Sequence, residues 1–191
     1  MNTFNTFLNN IGPKLDAALL SIPKPIWGTE QNLLEKLSRL YPKSIIQHTP
    51  KIIIHSKLYK PDYLIDGKII VEFQGYQHYT RCIDVYKDGL RKEIFELNNY
   101  QFIEIPYFIQ LNEDVTQKLF NQSIDLSNGF PCGFIHPKSG CFGDFCSAGL
   151  AKAKLILDFY SIDVKNQIFE SLHNRSGVSG IPEKILNPFL L

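Results

Sequence analysis

The chain has 191 residues, 44% of them apolar, and a formal net charge of +1. That length and composition fit one folded core and exclude a disordered chain, and the near-zero charge excludes a globally basic nucleic-acid binder, so any such surface must be local. No stretch reaches the about 18 consecutive apolar residues of a membrane helix, and "MNTFNTFLNNIGPK" lacks the basic-then-apolar order of a signal peptide, so a cytoplasmic, reducing setting without membrane contact is expected.

Residues 4 to 21 carry Phe7, Leu8, Ile11, Leu15, Leu19 and Leu20 at helical spacing, and Pro23 and Pro25 then break the chain. A second helix is expected from Glu30 to Tyr41, with Thr29 as N-cap, Leu33, Leu37 and Leu40 as its stripe, and Pro42 as its stop. "SIIQHTPKIIIH" supplies one or two strands, and "DYLI" with "KIIVEFQG" forms a hairpin around Asp66-Gly67. A helix follows from Ile83 to Leu97, with Ile83, Leu90, Ile94 and Leu97 on one face. "YQFIEIPYFIQ" is a strand ending near Pro106, and Asp114 to Phe120 is a short helix. Residues 122 to 147, rich in glycine and proline, are irregular, and helical patterns return in "AGLAKAKLILDFY" and "DVKNQIFESL". The expected fold is mixed α/β (α+β): helix, three strands, helix, strand, with a mainly helical C-terminal extension. Three segments follow: 1–27, a core of 28–121, and 122–191.

The hairpin carries acids where a core strand wants apolar residues, and burying a charge is costly unless it is paired or holds a metal. Glu72 and Gln74 share one strand face, with Val71 and Phe73 on the other. Asp62 joins the Glu72 face only if the loop has odd length. A two-residue Asp66-Gly67 turn pairs Asp62 with Val71 instead, and spacing alone leaves both open. With the faces matched, Asp62, Glu72 and the Gln74 carbonyl are hard oxygen donors suited to Mg2+ or Mn2+. Otherwise the acids belong to a hairpin that faces water. Glu30 aligns with the stripe of its helix and is either a further ligand or a first-turn acid favouring the helix dipole.

"PD", nine residues, then "EFQ" resembles the PD-(D/E)xK nuclease superfamily. The order "GTEQNLLEKL", "KPDYLIDGKIIVEFQGYQHY" and "DGLRKEIFELNNYQFIEIPY" resembles the branch containing very-short-patch repair endonucleases, over about residues 28 to 110. The resemblance implies a restriction-endonuclease-like core and metal-dependent hydrolysis of DNA phosphodiester bonds. It assigns Asp62, Glu72, Gln74 and Glu30 to the metal, His78 and Lys92 to catalysis, and Asp88 and Arg91 to the following helix. Gln74 stands where the superfamily has lysine, and Lys92, on the following helix, or Lys68 is the candidate substitute. Lys57, Lys60, Arg81, Lys87 and Arg91 are candidate DNA contacts, with Tyr76 and Tyr79 as stacking candidates beside the site. The missing lysine keeps a second reading open: an inactive nuclease-fold module that binds DNA or a protein partner. Double-strand cleavage by a single site would call for a homodimer.

"PCGFIHPKSGCFGDFC" offers Cys132, His136, Cys141 and Cys146, a Cys3His set for structural Zn2+, though without a Cys-x-x-Cys pair. A third reading is therefore a zinc-stabilised interaction protein. Cys82, remote in sequence, reads as a packing residue.

Overall fold

The computed structural model describes residues 30–127 and 145–175. The expected helix over residues 4 to 21, the Thr29 cap and Cys132, His136 and Cys141 lie outside the described residues. In chain order the elements are α1 (Glu30–Leu40), β1 (Ile46–His48), β2 (Ile52–Ile54), β3 (Lys57–Tyr59), β4 (Tyr63–Ile65) and β5 (Ile69–Gln74). Then come α2 (Gln77–Thr80), α3 (Cys82–Leu97), β6 (Gln101–Pro106), α4 (Glu113–Phe120), α5 (Ser147–Phe159) and α6 (Ile162–Arg175).

The class is mixed α/β. A four-stranded sheet runs in the order β1-β4-β5-β6, its first two pairings antiparallel and β5 with β6 parallel across the α3 crossover. The strands β1, β4 and β5, then a helix, then β6 give the expected succession. The sequence reading missed β3, which pairs with β2 as a separate two-stranded sheet. Its turn needs positive φ at His55 and Ser56, residues that carry none of the usual glycine or asparagine signal.

The two faces of the sheet have different cores. Tyr63, Ile65, Val71, Ile103 and Ile105 pack against Leu33, Leu37 and Leu40 of α1, as the leucine stripe predicts. Leu64 and Ile70 pack on the other side against Phe95 of α3. The stripe expected on α3 holds only at Ile94, which is half-buried against the cluster of Phe95. Ile83, Leu90 and Leu97 are exposed, and Phe95 is the residue buried. The inward row instead includes Asp88 and Arg91, which meet polar groups around the sheet. An apolar-periodicity argument fails on a helix whose covered face is charged.

Asn112 is the N-cap of α4, and its side chain accepts from the Val115 N–H at 3.0 Å. α5 and α6 are part of the main core. Ala153, Leu157, Val164 and Ile168 are buried in the same cluster as the α1 leucines. α5 lies so close to α2 that a Cβ on Gly149 would fall 1.9 Å from the Tyr79 carbonyl oxygen. Gly149→Ala is therefore expected to destabilise the protein by roughly 2 kcal/mol, although alanine is the better helix former. Urea denaturation checks this, and a gain in stability would contradict the α5–α2 contact. Among the described residues no helix is long and apolar enough to cross a membrane.

Candidate active site

The hairpin loop settles which residues share a face. Tyr63 pairs with Val71 and Ile65 with Ile69, leaving Asp66, Gly67 and Lys68 as a three-residue loop. Asp66 and Gly67 both have positive φ, and Lys68 N–H donates to the Ile65 carbonyl at 3.0 Å. The count is odd, so extending the register sets Asp62 opposite Glu72. The Asp62 carboxylate accepts the Phe73 N–H at 2.7 Å and is thereby fixed at the end of β4.

Glu72 and Gln74 are buried, 3% and 2% exposed. They lie on the α3 side of the sheet beyond Ile70, and the parallel register places Glu104 of β6 beside Glu72. Burial pushes the Glu72 carboxyl up to about 8; Arg91 opposes that rise, and Asp62 and Asp88 add to it. Arg91 reaches Glu72 from α3 with its guanidinium and also donates to the Lys60 carbonyl at 3.2 Å.

The residue that meets Gln74 was not foreseen. Lys152, on α5, donates to Gln74 Oε1 at 3.2 Å and to Glu104 Oε1 at 2.8 Å, with Asp88 at 4.0 Å. Its ammonium also lies 5.4 Å from the centre of the Tyr79 ring. The only sequence signal for it was a lysine placed three residues after Gly149 and four before Ile156, on a helix with an apolar face. Lys92, the substitute expected from sequence, stays at the margin, 3.9 Å from Glu104, 4.0 Å from Glu96 and 42% exposed. Lys68 lies in the hairpin loop, exposed.

His78 sits on the short helix α2, and its Nδ1 is 2.7 Å from Asp88 Oδ2. The carboxylate fixes the orientation of the imidazole and leaves the other ring nitrogen as its second functional atom. Asp62, Glu72, Gln74, His78, Asp88, Arg91 and Lys152 thus form one polar patch beyond the apolar half of the α3-facing sheet. A groove of about 740 Å3 adjoins it, lined in part by Lys92, Glu104, Lys152, Lys118, Phe102 and Phe159.

The remaining expected contacts divide. Lys57, Lys60, Arg81 and Lys87 are exposed, with Arg81 paired to Asp84 at 3.4 Å and Lys57 over the Tyr59 ring. Tyr79 corrects the stacking expectation. It is fully buried among Tyr107, Phe108 and Phe145 and presents no ring face to a base. Tyr76 is half-buried against Tyr107 and Phe145. Glu30 is the first residue of α1, but its side chain lies outside the described residues. Of the zinc set only Cys146 is described, as the N-cap of α5. Cys82 is exposed, not a packing residue.

Among the described residues no three His, Cys, Asp or Glu side chains converge as a metal-binding group. The acids at the hairpin form a pair, Asp62 with Glu72, and the Gln74 oxygen next to them is engaged by Lys152. Comparison with family models, with curated proteins and with solved structures finds no match to this chain.

Proposed function

We propose that this chain is a metal-dependent DNA endonuclease of PD-(D/E)xK type with a restriction-endonuclease-like core. The observation that carries the reading is the three-residue loop that sets Asp62 against Glu72, with an amide and a lysine beside them. The α1, β1-β4-β5, α3, β6 succession supports the topology.

The donor set fits an ion of the Mg2+ or Mn2+ kind: hard oxygen ligands, one or two carboxylates, and room for water and phosphate in the rest of the shell. Asp62 and Glu72 would hold it. When bound, such an ion acidifies a water and neutralises charge on a phosphoryl oxygen. Arg91, released from Glu72, is placed to meet a phosphate through its fork of donors. Lys152 supplies the positive charge that Gln74 cannot, and Gln74 holds the ammonium in place through its amide oxygen. His78, oriented by Asp88, is within the same patch to donate to or accept from a non-bridging or leaving oxygen. DNA would approach along α3 and the β3–β4 loop, where Lys60, Lys87 and Arg91 lie.

A second reading has one observation in its favour: Arg91 already closes on Glu72. A site held in that pairing would bind DNA or a partner protein without cutting. Supercoiled plasmid with Mg2+, Mn2+ or EDTA separates the two. The nuclease reading expects metal-dependent nicking or linearisation that Glu72→Ala abolishes. No cleavage by the wild type across several DNA forms would leave the binding module.

A further inference from the structure

The molecule holds a second cluster of reactive side chains, on the side of α5 that meets α3. Cys82 is the first residue of α3 and Cys146 is the N-cap of α5. The Cys82 Sγ lies 3.8 Å from Ser147 Oγ and is within hydrogen-bond reach of the Cys146 thiol. Two backbone contacts hold the segments together. The Cys146 N–H donates to the Tyr79 carbonyl at 3.0 Å, and the Gly149 N–H donates to Cys146 Sγ at 3.4 Å. Gly149 then allows the close approach of α5 to Tyr79.

The two sulfurs differ in environment. Cys82 is exposed, and the Ala148 N–H, the Cys146 thiol and the Ser147 hydroxyl hold its thiol below the usual range. Cys146 is partly shielded, and burial together with the neighbouring Cys82 holds its thiol above that range. An accessible, hydrogen-bonded thiol with a second thiol against it is the arrangement that oxidises reversibly.

We propose that Cys82 and Cys146 are a peroxide-responsive pair that closes to a disulfide and fastens α5 onto α3. The Cys82 thiolate attacks one oxygen of the hydroperoxide. The O–O bond breaks, hydroxide leaves, and Cys82 becomes a sulfenic acid. Cys146 then gives up its proton and attacks the Cys82 sulfur. The S–O bond breaks and the departing hydroxide takes that proton as water. In sum, two thiols lose two electrons and two protons, and hydrogen peroxide is reduced to two waters. The bond would cross-link Cys82 and Cys146, 64 positions apart (146 − 82), and α5 carries Lys152. The proposal does not depend on the nuclease reading.

The test uses the full chain, with hydrogen peroxide as oxidant and a thiol-alkylating reagent as quench. Non-reducing peptide mapping is expected to find Cys82 linked to Cys146, released by dithiothreitol. In Cys146→Ser, Cys82 should accumulate as a dimedone-labelled sulfenic acid, at least about tenfold above Cys146 labelling in Cys82→Ser. The oxidised wild type should melt about 5 °C or more above the reduced form, and Cys82→Ser should show no such rise. Full alkylation of both cysteines after peroxide, or bridges made mainly through Cys132 or Cys141, would overturn the pairing. A bridge at Cys82–Cys146 without the rise in melting temperature would overturn the fastening of α5.

Discussion

Lys152→Met is expected to lower metal-dependent DNA cleavage by roughly 10²–10³-fold, the usual cost of removing one preorganised charge at a reacting phosphate. The ammonium is held between Gln74 and Glu104. In a site 16% exposed on that side chain, water replaces its charge poorly. Lys152→Arg should recover part of the loss, because it keeps the charge but changes its shape. Lys92→Ala should cost no more than about fivefold, since Lys92 meets Glu96 and Glu104 only at long range among the described residues and is 42% exposed. Plasmid-cleavage rates for the three variants, with circular dichroism as a control for folding, decide it. Equal losses from Lys92 and Lys152 would remove the special role of α5.

In metal-free buffer the folded protein should lose stability between about pH 4.5 and about pH 8 because of Glu72. Its carboxyl is raised from 4.5 to about 8, so the folded state keeps a proton that the unfolded state has released. The native advantage is complete below the unfolded value, declines through this window, and is gone above the folded value. At about 1.4 kcal/mol per pH unit, a shift of this size corresponds to roughly 5 kcal/mol. Glu72→Gln keeps the shape and cannot ionise, so its stability should fall by several kcal/mol less across the window. At pH 8 the variant should be the more stable protein. Urea midpoints at pH 5 and pH 8 in EDTA measure this, and parallel pH profiles would show that Glu72 is ionised throughout.

The parts of this protein that apolar spacing governs were legible in the sequence. α1 buries the three leucines its stripe names, and β4, β5 and β6 fall where the β-rich runs stand. The hairpin parity was not legible. Asp66-Gly67 suits a two-residue turn as well as the three-residue loop observed, and the pairing of Ile65 with Ile69 decides between them. The α3 face was misread for a physical reason. Its apolar residues Ile83, Leu90 and Leu97 point outward because the covered row serves charged groups. Lys152 could not be found from the acidic motif, because it enters from a helix far along the chain. Only tertiary packing, through Gly149 against Tyr79, brings it to Gln74.

Asp62 and Glu72 are proposed to hold one divalent cation between them. Calorimetric titration of Mn2+ into the metal-free wild type, Asp62→Asn and Glu72→Gln addresses it most directly. One site in the wild type, weakened at least about tenfold in each variant, is the predicted result. No binding by the wild type, or binding that both variants retain, would contradict it.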